Sequence, residues 1–204
     1  METGSAATQP NTRHMAGDAT EGGDFPPLCA LPRMGTKGVE PRRIWWARPG
    51  KLCGLERPGG GGRSHRPERR AAEIAYLMSN GVRLCISTMA SRHNLGAYEE
   101  AGLAWHHVPV QSAQRGADAL EELLPLLRRE LRRRGAVAVH GDRHTDFVAA
   151  VCAAHLHEAR GVEPVEALAH AAAAGLTVNS DTCALLGVKP AELEAVMRSG
   201  DPVA

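Results

Sequence analysis

The stretch AVAVHGDRHTDFVAAV, residues 136–151, decides how this chain is read. Ala136 to Val139 form an unbroken apolar run, the pattern of a strand covered on both faces. Gly141 and three polar residues follow, and beyond Thr145 the spacing becomes that of a helix. A strand that turns sharply into a helix aims the helix's first unbonded N–H groups at whatever occupies the turn, so such junctions hold anions. The turn here carries His140, Gly141, Asp142, Arg143, His144 and Thr145.

Outward from this junction the chain alternates strand-like and helix-like segments. RIWWAR and KLCGLE are short β-type runs split by the turn signal Pro49-Gly50. RPGGGGRSHRPE reads as a loop, and ERRAAEIAYLMSNG as a helix with Ala71, Ile74, Leu77 and Met78 on one face and Asn80-Gly81 at its end. VRLCIST and LAWHHVPV are strands separated by the short helix LGAYEEAG. In ADALEELLPLLRRELRRRG, Leu120, Leu123, Leu124, Leu127 and Leu131 make a helical stripe. Asp118 with Glu121 resembles a capping box there, and Pro125 should kink the ladder. PVEALAHAAAAG and KPAELEAVMRSG are further helices. The alternation implies an α/β domain with a central, largely parallel sheet flanked by helices. Residues 1–40, aperiodic and rich in Gly, Thr, Ala and Pro, are expected to be a disordered tail. Residues 41–178 form the α/β domain and 179–204 a helical extension.

Composition bounds the function. In 204 residues, 24 basic side chains face 23 acidic ones, and only seven residues are Phe, Tyr or Trp. Neither a long-range basic field nor a stacking surface favours nucleic acid. No run of about 18 apolar residues predicts a membrane span. The start METGSAATQP lacks the pattern of a secretory leader. Cys29, Cys53, Cys85, Cys152 and Cys183 are scattered, with no paired spacing, which suits a reducing compartment and points to a cytoplasmic protein.

The order PGKLCGLERPG, AAEIAYLMSNGVRLCIST, YEEAGLAWHHVPV, LLRRELRRRGAVAVH, TDFVAAVCAAHL resembles the cysteine-dependent dual-specificity (protein-tyrosine-like) phosphatases over roughly residues 43–176. That resemblance implies the family's α/β fold and a phosphate loop of the form H-C-x-x-G-x-x-R-[ST] between the last strand and its helix. It also implies a thiolate nucleophile, an arginine cradling the phosphoryl group and an aspartate acid on a neighbouring loop. This chain departs from the pattern at each point. His140 matches the first position and Thr145 the last, but the loop between them is three residues short, holds no cysteine and places His144 where the arginine belongs. Gln111 stands where an aspartate acid is expected.

The expectation is therefore a pseudophosphatase with no catalytic residue. It would bind a phosphoprotein or small anionic ligand through Gly141, Asp142, Arg143, His144 and Thr145, or serve as an interaction scaffold. Against ligand binding stands the plainer reading that Gly141 makes a tight turn while Asp142 or Thr145 caps the helix. The alternative function is an active phosphatase or phosphoesterase with a His- or metal-dependent mechanism, using His140 or His144. His140, Asp142, His144 and Asp146 alternate, with His106-His107 on another strand, but a four-residue turn does not aim four side chains at one ion. No metal site and no cofactor are assigned. The basic runs RRELRRR and RSHRPERR are read as solvated, and of Trp45-Trp46 one ring is expected to pack inward.

Overall fold

A computed structural model describes residues 38–60, 66–111 and 113–199. Nearly all of the expected tail lies outside these residues, as do Cys29, Gly61, Gly62 and the last five positions.

Five strands form one sheet in the order β1-β2-β5-β3-β4: β1 Ile44–Arg48, β2 Leu52–Glu56, β3 Val82–Ser87, β4 Ala104–His107 and β5 Ala136–Gly141. β2, β5, β3 and β4 are mutually parallel, and the hairpin partner β1 alone runs antiparallel at one edge. Ala136 to Gly141 are all buried, as expected for a central strand with helices on both sides. The helices are α1 Pro67–Ser79, α2 Leu95–Ala101, α3 Ala117–Leu131, α4 Asp146–Arg160, α5 Pro164–Ala173, α6 Ser180–Leu185 and α7 Pro190–Ser199. None is long and apolar enough to cross a membrane among the described residues.

Alternation along the strands sorts the core into two layers. Cys53, Leu55, Val82, Cys85, Ala136 and Ala138 pack with Ile74 and Leu77 of α1 and Tyr98 of α2. Leu52, Leu84, Ile86, Val137 and Val139 pack with α3 and α4, and Leu168, Cys183 and Leu193 bring α5, α6 and α7 into that layer. Gly54 faces α4 so closely that a Cβ there would stand 2.9 Å from Val148 Cγ1 and 3.1 Å from Cys152 Sγ. Glycine is what lets β2 and α4 approach.

Three local expectations are corrected. The buried face of α1 is Glu73, Ile74 and Leu77, while Ala71 and Met78 are exposed. The helix turns toward Glu73 because that carboxylate finds partners inside: Arg69 Nε at 2.7 Å and the Gly59 N–H at 2.7 Å. At the start of α3 the N-cap is Gly116, with no side-chain cap, and Asp118 sits exposed in the first turn. The ring of Phe147 fills the space a Gly116 side chain would need. The third concerns α6, which the pattern did not single out. It is held by a reciprocal capping box between Asn179 and Thr182. α3 continues through Pro125, whose position is exposed, so water can take the carbonyl left without its helical donor. Trp45 is buried and Trp46 half-buried.

Candidate functional site

The carboxyl ends of β2, β5 and β3 define one edge of the sheet, where parallel α/β sheets place their ligands. The ladder extends past the strands there: the Arg57 N–H donates to Gly141 O at 2.8 Å, and the Thr88 N–H to His140 O at 2.9 Å. The β5–α4 turn is thus fixed on both sides by backbone.

Its residues point to separate destinations. His140 is fully buried on the α1/α2 side, with Nε2 3.0 Å from the Tyr98 hydroxyl and the two rings edge to face. Burial pulls its pKa down to about 4, so the ring is neutral at physiological pH. Gly141 is buried against Val148. Asp142 is exposed. It takes the Arg143 N–H at 2.9 Å and lies 3.1 Å from Arg57 Nε in an ion pair not aligned as a hydrogen bond. Arg143 and His144 are exposed, and Arg143 Nε donates to His144 Nε2 at 3.4 Å. Thr145 is the helix N-cap residue, but its side chain makes no cap. It is buried, and its Oγ1 accepts the Thr177 N–H at 2.8 Å. Asp146 takes the Ala113 N–H at 3.2 Å and reaches Asn179 Nδ2 at 3.5 Å. The turn therefore offers a ligand Asp142, Arg143 and His144, while Gly141 and Thr145 are spent on the fold. His107, on β4, bonds Met89 O at 2.8 Å. Among the described residues no three His, Cys, Asp or Glu side chains group as a metal site.

No thiol faces this edge among the described residues, where Cys53, Cys85, Cys152 and Cys183 are all free and buried. Burial pushes the Cys85 and Cys152 thiols up to about 12, the reverse of an activated nucleophile. On the β4–α3 side, Gln111 is exposed and its side-chain oxygen accepts from Arg115 at 3.1 Å.

Beside the turn lies a cleft of about 300 Å³ that the sequence reading did not anticipate. Six arginines line it, Arg42, Arg43, Arg57, Arg66, Arg69 and Arg143, against the carboxylates of Glu56 and Glu73. Arg43 joins turn and cleft, donating to Arg143 O at 3.3 Å and standing 3.6 Å from Glu56. Glu73, 2% exposed, is the floor: it holds Arg69 and the N–H of Gly59, whose φ of +89° only glycine adopts without strain. Arg66 and Arg69 belong to the run RSHRPERR that was read as solvated. The first three residues of that run, Arg63, Ser64 and His65, lie outside those described.

No family model and no curated protein matches the sequence. Solved structures do match the fold. Human DUSP28 aligns at 23% identity with a TM-score of 0.56, over 79% of this chain and 99% of its own. A mouse putative dual specificity phosphatase complexed with zinc tungstate aligns at 20% identity and 0.56, over 81% and 96%. P. aeruginosa TpbA in complex with pTyr aligns at 20% identity and 0.55, over 83% and 100%. The five-stranded sheet, its helical layers and the strand-turn-helix junction at His140 are therefore the fold of the dual-specificity and tyrosine phosphatases.

Proposed function

We propose that this protein is a non-catalytic phosphatase-fold protein, a pseudophosphatase that binds an anionic or phosphorylated partner at the carboxyl edge of its sheet through Arg143 and the arginines beside it. The observation that carries this reading is chemical. The β5–α4 turn holds no thiol, and each described cysteine is buried, so a phosphoryl group arriving at the turn meets guanidinium groups and no sulfur nucleophile. Buried, free thiols also fit the expected cytoplasmic setting.

The second reading, turnover by a histidine, narrows to one residue. His140 is enclosed and neutral beneath Tyr98, whereas His144 is exposed beside Arg143. Purified protein incubated with an aryl phosphate, with and without divalent metal, is expected to give no turnover. Turnover abolished by His144→Ala would overturn the non-catalytic reading. Vanadate or phosphate is expected to raise the melting temperature by mass action, and Arg143→Ala to remove that rise. No shift with either anion would leave a scaffold role without a ligand.

A further inference from the structure

The arginine cleft carries more positive charge than one phosphoryl group can neutralise. Six guanidinium groups against Glu56 and Glu73 leave an excess of four positive charges, and Asp142 at the rim lowers it to three. A phosphate monoester brings roughly 1.5 to 2 negative charges at neutral pH. A single phosphate would leave the cleft cationic.

The arginines are also unequally committed. Arg69 is fixed on Glu73, Arg43 stands by Glu56, and Arg57 by Asp142. Arg42, Arg66 and Arg143 have no carboxylate partner among the described residues. Like charges crowded on one wall repel, and a counter-anion relieves that repulsion. Planar guanidinium forks match phosphoryl oxygens in pairs.

The walls exclude other ligand classes. Beyond Pro41 and two glycines nothing apolar lines the cleft, so a hydrophobic or aromatic body has nothing to pack on. A volume of about 300 Å³ lies at the small end for ligand sites. We infer that this cleft binds a compact group bearing two or more phosphoryls, an oligophosphate or a multiply phosphorylated polyol. The inference deepens the anion-binding part of the proposed function and is independent of whether the turn has any catalytic activity.

The test is calorimetric titration of the full chain with inorganic tripolyphosphate at about 0.15 M salt, where contacts that depend only on distant charge are screened. A parallel arm uses vesicles containing a bisphosphorylated inositol lipid, to separate a soluble ligand from a headgroup. Binding in either arm is expected, and each of Arg42→Ala and Arg66→Ala should weaken it about tenfold, the worth of a charged hydrogen bond. Arg134→Ala, in the turn between α3 and β5, should change nothing. Both arginines sit at the rim, so unfolding of the free variants by urea should match the parent. Silence in both arms, or affinity unchanged in the Arg42 and Arg66 variants, overturns the inference. So does binding of a doubly phosphorylated peptide when both arms are silent. If vanadate binding is lost with Arg143→Ala while tripolyphosphate affinity is unchanged by Arg42→Ala and Arg66→Ala, the anion site at the turn stands and the polyphosphoryl cleft falls.

Discussion

Acidification should unfold this protein through a histidine that the site does not use. His140 is fully buried beneath Tyr98, and burial lowers its pKa from 6.5 to about 4. The unfolded chain therefore binds a proton on this ring between those two values while the folded chain does not. The contribution linked to this ring is complete above about pH 6.5, falls as pH drops through the window, and is fully lost near pH 4. A shift of that size corresponds to about 3 kcal/mol, a large share of the stability of a domain this small. His155, 2% exposed on α4 with Arg48 Nη1 3.3 Å from its Nε2, is lowered to about 4 as well, by burial and then by the charges of Arg48 and Arg128. It adds to the loss in the same direction. The comparison that isolates His140 is urea unfolding, followed by tryptophan fluorescence at stepped pH, of the parent and of His140→Gln. The substitution costs stability at every pH because Tyr98 loses its partner, so the slope is the readout. The gap between the two curves should narrow by about 3 kcal/mol from pH 6.5 to 4. A gap constant to within about 0.5 kcal/mol, near the precision of the extrapolation, would refute the reasoning.

Two further outcomes follow from packing. Gly54→Ala places a methyl 2.9 Å from Val148 Cγ1, 3.1 Å from Cys152 Sγ and 3.4 Å from Leu176 Cδ1. It should cost about 1–3 kcal/mol in urea unfolding, and an unchanged midpoint would contradict the close approach of β2 and α4. Under native conditions iodoacetamide should leave Cys53, Cys85, Cys152 and Cys183 unmodified by peptide mass analysis, with all four alkylated in denaturant. Native labelling of any of them would show a thiol open to reagents.

The sequence made the sheet legible for a physical reason. Ala136 to Val139 are apolar without alternation, which only a doubly covered strand tolerates, and the strands on either side end at turn signals. α6 was missed because six residues are too few to establish a period, and its stability comes from the Asn179–Thr182 pair. The face of α1 was misread because the burial of Glu73 depends on the N–H of Gly59, fourteen residues earlier. The turn's composition could be read residue by residue, but the inward positions of Thr145 and His140 depend on Thr177 and Tyr98, partners remote in sequence. The cleft was hidden for the same reason. Its arginines come from the segment before β1, the segment after β2, the start of α1 and the β5–α4 turn, parts of the chain remote in sequence that the pairing of β5 with β2 helps bring together.

The amino end of α4 is stitched to the rest of the chain. Thr145 is tied to Thr177, Asp146 to Ala113 and Asn179, and Thr182 Oγ1 reaches Asp146 O at 3.4 Å. Opposite it, the Gly59 wall is held by the enclosed carboxylate of Glu73 and by Asn94 Nδ2, which donates to Pro58 O at 3.0 Å. For the proposed anion, adaptation is expected on the Gly59 side, with fewer such ties than α4, which acts as the anvil. In hydrogen exchange, the amides of Ala113 and Thr177 would report on opening of the whole domain, while that of Gly59 would register the arrival and departure of a guest.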